Sequence, residues 1–527
     1  MTQLLTTERA ANTALSFFRF RAHRALGRKS FLALSALAAG VMIATLPLRY
    51  SVALMAGGAL LIAAFVEPLA GLAIMLLVGP TEPLLGAAGL LPLSVGQATL
   101  AVFVLGWILR GLTHRQLSIP QLPITNYFLL YLAACALSVF FAQPASPQDT
   151  ATELLKWIEM LVIAAIVYDG AGRNKLGWVV AILFAAGLFQ AGVGIWQFQF
   201  RGHGPEAFKI LGDHYRAYGR LEQPNPFGGF MGVVWPLAAA LAVHSGLEIG
   251  RQIWGTQIRR INADQNQKNN PRISAFHQRH PRATLLFSSA TAIATLTALI
   301  LSFSRGAWLG AGAASMAMLI FWPRRRWIGL ALGVGGIVII FVLNNFGLLP
   351  SFIASRFADV GDFVQVYDVR GVHINDSNFS IVERLAHWQA ALNMADAHPL
   401  FGVGFGNYEA AYNDYRLVNW KYAFGHAHNI YLNVLAETGA VGLAAYLILW
   451  GAIITLTIWV ISHKDLSGLM IDRPLALGLL GCWIHLSTHQ LLDNLFVGNI
   501  PLYLGALLGL LCIIATRPNL QSLSSNL

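Results

Sequence analysis

Charge is what this sequence lacks. Only 11% of its 527 residues are Asp, Glu, Lys or Arg, against roughly a quarter in a soluble chain, which excludes a water-facing surface over most of its length. Cysteine is nearly absent as well. Cys135, Cys482 and Cys512 each fall inside an apolar run, without metal-type spacing, which excludes a disulfide framework and a cysteine zinc site. No internal repeat is visible, and this disfavours a transporter assembled from duplicated halves.

Apolar residues fill the gap: 56% of the chain is hydrophobic and the mean hydropathy is +0.59. Crossing a bilayer takes about 20 apolar residues in a helix, because hydrocarbon offers the backbone no other hydrogen-bond partner. Such runs lie near 31–48, 51–66, 69–80, 96–110, 125–142, 154–168, 176–198, 227–244, 284–303, 306–323, 327–345, 430–461, 475–492 and 497–515. Glu67-Pro68 splits the second from the third, or kinks one longer helix there. The predicted fold class is all-α, a polytopic transmembrane bundle of about 12–14 helices.

Basic residues give the orientation. Arg19, Arg21, Arg24, Arg28 and Lys29 precede the first run, seven more lie between Arg251 and Arg282, and Arg324–Arg326 form a third group. Keeping all three groups inside puts both termini in the cytoplasm. The first run has no small-residue cleavage site after it and reads as a retained helix. The resulting division is a basic N-terminus at 1–30 and N-terminal helices over 31–198. A core over 199–461 carries a cytoplasmic loop at 245–283 and a partly helical periplasmic cap at 346–429, and C-terminal helices follow over 462–527. Rich in Arg, Asn and Gln, poor in aromatics, the 245–283 loop reads as a solvated segment rather than a nucleic-acid surface.

Polar chemistry gathers on the outer side. Ile381–Ala397 has helical apolar spacing that stops at His398-Pro399. Gly402-Val403-Gly404-Phe405-Gly406 lacks the preceding strand and following Lys-Ser/Thr of a nucleotide loop, so it reads as a turn or a close backbone approach. Arg305 sits between two apolar runs, either snorkelling to the interface or clamping an anion. Arg384 and Trp388 are one helical turn apart, a surface pair or a charge beside an aromatic platform for a sugar ring. His428 opens an apolar helix as an interfacial residue or as a proton acceptor. His426, His428 and His398 lack companion carboxylates or cysteines, so no metal is expected. His485, His489 and Asp493 share one helical face; with Glu67 and Glu159 they would line a transport path, or else an acceptor cavity.

The stretch His428-Asn429, nine residues, Gly439, two residues, Gly442 resembles the signature of the O-antigen ligase family. Arg216 with Pro224-Asn225, Ser304-Arg305, and Arg384 through Trp388 followed by Pro399–Gly404 are similar to further family motifs in the same order. The resemblance spans about 216–442 and implies a membrane glycosyltransferase whose donor is a glycan on a polyprenyl diphosphate. It implies Arg305 and Arg384 at the diphosphate, His428 as general base, and Arg216, Asn225, Trp388 and Asn429 on the substrates. Its implied partners are the lipid-linked donor, a glycan or lipid A–core acceptor and membrane lipids, with no nucleic acid, metal or cofactor. Glu222 is a rival base. A polymerase of the same family is the nearest alternative, and a transporter or inorganic-carbon accumulation protein is the alternative from another class.

Overall fold

In a computed structural model, the chain is described over residues 48–78, 95–114, 120–143, 145–261, 281–349, 368–375, 378–463 and 471–516, with Leu37, Gly40 and Val41. The basic N-terminus, most of the first predicted helix and the middle of both long loops lie outside these residues. Fifteen helices make up nearly all of what is described. In order they are α1 (Leu48–Val66), α2 (Pro68–Val78), α3 (Val95–His114), α4 (Thr125–Ala142), α5 (Pro147–Ala171), α6 (Leu176–Gln199), α7 (Pro224–Ile261) and α8 (Pro281–Leu301). Then follow α9 (Arg305–Phe321), α10 (Arg326–Asn345), α11 (Phe379–Ala397), α12 (Tyr408–Tyr415), α13 (Ile430–His463), α14 (Asp472–His489) and α15 (Ile500–Ala515). Seven of them are long and apolar enough to cross a membrane. The protein is an all-α polytopic bundle, as its apolar runs predict.

Local chemistry sets the boundaries. Proline opens α2, α5, α7 and α8, where its missing N–H has no intrahelical partner to lose. Ser304 caps α9 by accepting from the Ala307 amide, so the turn between α8 and α9 is only Ser302–Ser304. One boundary differs from expectation: α7 runs on to Ile261, well into the predicted 245–283 loop. Its polar extension, Glu248 through Arg260, keeps helical hydrogen bonding beyond the apolar stretch, and hydropathy does not see a helix continuing into water.

Helix α15 is buried along its whole length, as expected of a helix apolar all round at the centre of a bundle. Helix α10 is the opposite case. It packs on α9 and exposes Leu330, Ile337, Ile339 and Phe341, apolar side chains suited to lipid.

Helix α13 contains the join between bundle and cap. Gly439 (φ +63°, ψ −166°) breaks it, freeing carbonyls before the break and amides after it. The glycine-rich segment slots into that gap. Val403 and Gly404 donate to the Ala436 and Glu437 carbonyls at 2.9 and 3.0 Å, while Ala440 and Val441 donate to Pro399 and Leu400 at 2.8 and 3.3 Å. The close backbone approach expected of Gly402–Gly406 is therefore an insertion into a broken membrane helix. Behind it the cap has its own small core of Ala390, Met394, Tyr408 and Tyr412, joined by Ala427 and Ala436.

Candidate active site

On the cap face, an open polar cleft of about 470 Å³ is lined by Arg216, Asn225, Arg305, Arg384, His489 and Asp493, among others. Four segments distant in sequence supply these side chains. A two-residue antiparallel pair, β1 (Lys209–Ile210) with β2 (His214–Tyr215), delivers Arg216 to the end of α8. There its Nε donates to the Ser302 carbonyl at 2.8 Å and a terminal nitrogen donates to Asn225 Oδ1 at 2.9 Å. Asn225 is the second residue of α7, and Arg305 is the first of α9. Two helix N-termini thus face the cleft, each with a partial positive charge that favours an anion.

Arg384 comes from α11. It donates to the Leu492 carbonyl at 3.3 Å and the Ser380 carbonyl at 2.8 Å, two fixed acceptors that hold the guanidinium over the cleft. Burial presses its pKa below the usual value; Asp493 and Glu383 oppose this, and Arg305 adds to it. Three guanidiniums and a single carboxylate, Asp493, line the space, so its net charge favours an anion of more than one unit.

Asp493 follows the last turn of α14 and connects the arginines to the histidines. Its Oδ1 accepts from the Asn494 amide at 2.9 Å and lies 3.7 Å from His428 Nδ1 and 3.8 Å from His426 Nε2. Burial pushes the Asp493 carboxyl up, but the facing His428, His426 and His489 more than offset this and hold it below the usual carboxylate range. Beside His428, burial raises the Glu383 carboxyl, with His428 and Arg384 opposing. The His387 ring stands edge-on to His428 at 5.5 Å and is pushed down to about 3, first by burial and then by His428 and His426.

His426, His428 and Asp493 offer donor atoms within 4.8 Å of one another, a set of metal-ligand type that the sequence left without its carboxylate. The hydrogen bonding opposes that use. The His428 backbone N–H donates to His426 Nδ1 at 3.0 Å, so a neutral His426 carries its proton on Nε2 and presents an N–H to Asp493, whereas a metal needs a lone pair there.

Backbone strain marks the same place. Glu222 (φ +61°), Phe303 (φ +51°) and His428 (φ +52°) are three of the six described non-glycine residues in the left-handed region. Glu222 lies three residues before Asn225, Phe303 lines the cleft and His428 faces its carboxylate, and such conformations persist only where the surroundings fix them.

Four predicted site residues, Arg216, Asn225, Arg305 and Arg384, come together in this cleft, and His428 joins through Asp493. Two are placed elsewhere. Trp388 packs against the cap cluster of Val369, Ile381 and Leu385 and lies outside the cleft lining. Asn429 caps α13, its Oδ1 accepting from the Tyr431 and Leu432 amides at 3.0 and 3.1 Å. Glu222 is exposed and outside the cleft lining.

The His485–His489–Asp493 face divides. His489 and Asp493 line the cleft, while His485 is fully enclosed. The two imidazoles, 5.7 Å apart, occupy a slot floored by glycines of α7 and α9. A methyl group on Gly310 would lie 2.8 Å from the His485 ring, one on Gly306 2.5 Å from His489, and one on Gly232 would overlap His485 outright. Glu67 is engaged elsewhere, in an ion pair with Lys175 at 2.6 Å. Asp493 is the cleft residue that the sequence undervalued. It was visible only as a member of this face, because its partners come from a loop before another helix.

No curated protein matches the chain. Residues 290–447 match the family model described as O-antigen ligase, a segment that contains Arg305, Arg384, His428 and the broken helix at Gly439. Over those residues the chain is similar to the O-antigen ligase family that its motifs resemble.

Proposed function

We propose that this protein is an inverting membrane glycosyltransferase that moves a glycan from a polyprenyl diphosphate to an acceptor hydroxyl, either on lipid A–core or on another glycan. The observation that carries this reading is the convergence of Arg216, Arg305 and Arg384 on one cleft whose carboxylate faces His428. The diphosphate seats among the guanidiniums and the two helix N-termini. The acceptor oxygen attacks the anomeric carbon, the bond to the diphosphate oxygen breaks, and its electron pair leaves with the diphosphate. Charge developing on that group meets donors already in place, which is where preorganisation lowers a barrier. The acceptor proton passes to His428 Nε2. Asp493 beside Nδ1 holds the proton of the neutral ring on that nitrogen, leaving Nε2 as the base, and stabilises the imidazolium that forms.

Charge distribution supports an extracytoplasmic site in a plasma membrane. Arg173, Lys175, Arg326 and Arg473 collect at the helix ends opposite the cleft, tied together by Arg173–Asp472 and by Arg473 bonding to the Phe321 and Trp322 carbonyls. Basic ends belong in the cytoplasm, which turns the cap and cleft outward.

The test uses the purified full-length protein in detergent with a lipid-linked glycan and an acceptor. His428→Ala lowers transfer by about 10²–10⁴-fold, Glu222→Gln leaves it within a few fold, and a chelator has no effect. Retention of transfer by His428→Ala to within a few fold would remove the base assignment. In a deletion strain, ligation to an acceptor predicts long unattached lipid-linked chains, and polymerisation predicts single repeat units.

A further inference from the structure

His426 has no step in the chemistry above, yet it touches both things that orient the base. His428 stands at φ +52°, a left-handed conformation that L-residues disfavour. Its own N–H donates to His426 Nδ1 at 3.0 Å. A side-chain acceptor for the amide two residues on is the geometry of an Asx-turn, built here with an imidazole. The far side of the same ring, Nε2, faces Asp493 at 3.8 Å, and the two rings lie 4.5 Å apart.

We infer that His426 is a positioning residue for His428, an imidazole strut whose Nδ1 locks the strained backbone and thereby aims His428 Nε2 at the acceptor. The inference rests on His428 being the base. The strut works only while Nδ1 keeps its lone pair. Burial pushes the His426 pKa down to about 4, with Asp493 opposing and His428, Arg384 and Lys156 adding to it, so the ring stays neutral at physiological pH.

Two substitutions separate the ends of the ring. Asn places its Oδ1 where Nδ1 was and restores the acceptor; Gln reaches the position of Nε2 and restores only the group facing Asp493. His426→Asn therefore keeps kcat within about threefold of the parent, while His426→Gln and His426→Ala lose about 30-fold or more with donor KM changed less than about twofold. A general structural role would not be rescued by Asn alone. A second readout needs no turnover: the rate at which diethyl pyrocarbonate modifies His428 in the purified protein, followed by mass spectrometry. It rises several-fold in the Ala and Gln variants as the ring is released, and stays at the parent rate in the Asn variant. Gln matching Asn, or Ala matching the parent, in either readout overturns the strut. If the parent shows no transfer, or His428→Ala retains it, the base reading has failed instead, and the modification rates alone then decide the strut.

Discussion

Gly439→Ala tests how the cap is held. At φ +63° and ψ −166° the backbone occupies a region open almost solely to glycine, and another residue there costs about 1–3 kcal/mol. The added methyl group would lie 2.5 Å from the Phe401 amide nitrogen and nearer still to the Leu400 carbonyl. Those are backbone atoms, so no rotamer change relieves the overlap and the inserted segment has to withdraw. Withdrawal threatens the four bonds of the seam, from Val403, Gly404, Ala440 and Val441, each worth about 0.5–1.5 kcal/mol. Strain and lost bonds together reach roughly 3–9 kcal/mol, comparable with the whole stability margin of many folded domains. Two other glycines of α13 serve as controls. At Gly442, where no left-handed φ adds strain, the methyl overlaps the Thr438 side chain, its Cβ included, and at Gly451 it meets nothing within 4 Å. Thermal unfolding in detergent, with limited proteolysis of the cap, should rank the damage as Gly439→Ala, then Gly442→Ala, with Gly451→Ala neutral or slightly stabilising. An unfolding temperature for Gly439→Ala within a degree of the parent, with the cap equally protected, would refute the seam.

Two further predictions concern charge. Arg305→Lys and Arg384→Lys keep the positive charge but lose the two-pronged donor that matches a phosphate, so each should lower transfer about 10–100-fold; transfer kinetics near the parent's for both would show that point charge suffices. Acid should loosen the cap through His387, whose folded pKa is pushed down to about 3, below the ordinary imidazole value. The unfolded chain therefore binds the extra proton first, and stability falls as pH drops from about 6.5 toward 3, by up to ~1.4 kcal/mol per pH unit. The lowered Asp493 carboxyl acts in the same direction further down, its contribution being lost as pH falls below the usual carboxylate range. Unfolding temperatures between pH 7 and pH 4 for the parent and for His387→Leu give the comparison, and equal slopes would discard the His387 assignment.

The bundle was legible because lipid imposes one strong rule on sequence: about 20 apolar residues per crossing. The helices predicted after residue 48 all form, since Glu67-Pro68 and the other prolines punctuate them. Arg216, Arg305 and Arg384 were legible through motifs that remain in order along the chain. What was not legible depends on contacts between distant segments. Asp493 gains its meaning from His426 and His428, which a different helix brings to it. Asn429 stands in the motif, but a motif does not show that its amide oxygen caps its own helix. Trp388 does share a helix with Arg384, but that helix turns the indole into the cap's apolar cluster. The role of Gly439 required knowing that Pro399–Gly404 returns to it.

The glycine slot around His485 and His489 carries an evolutionary consequence. Because the rings fill the volume that side chains at Gly232, Gly306 and Gly310 would need, ring and glycine are complementary halves of one volume. A drift to alanine at Gly232 is tolerable only after the imidazole at His485 has shrunk, and the reverse order leaves a void between α7 and α9. The N-termini of those two helices carry Asn225 and Arg305, so an uncompensated change deep in the bundle would register at the cleft as a change in spacing between its anion-binding ends. These positions should accordingly evolve as linked pairs.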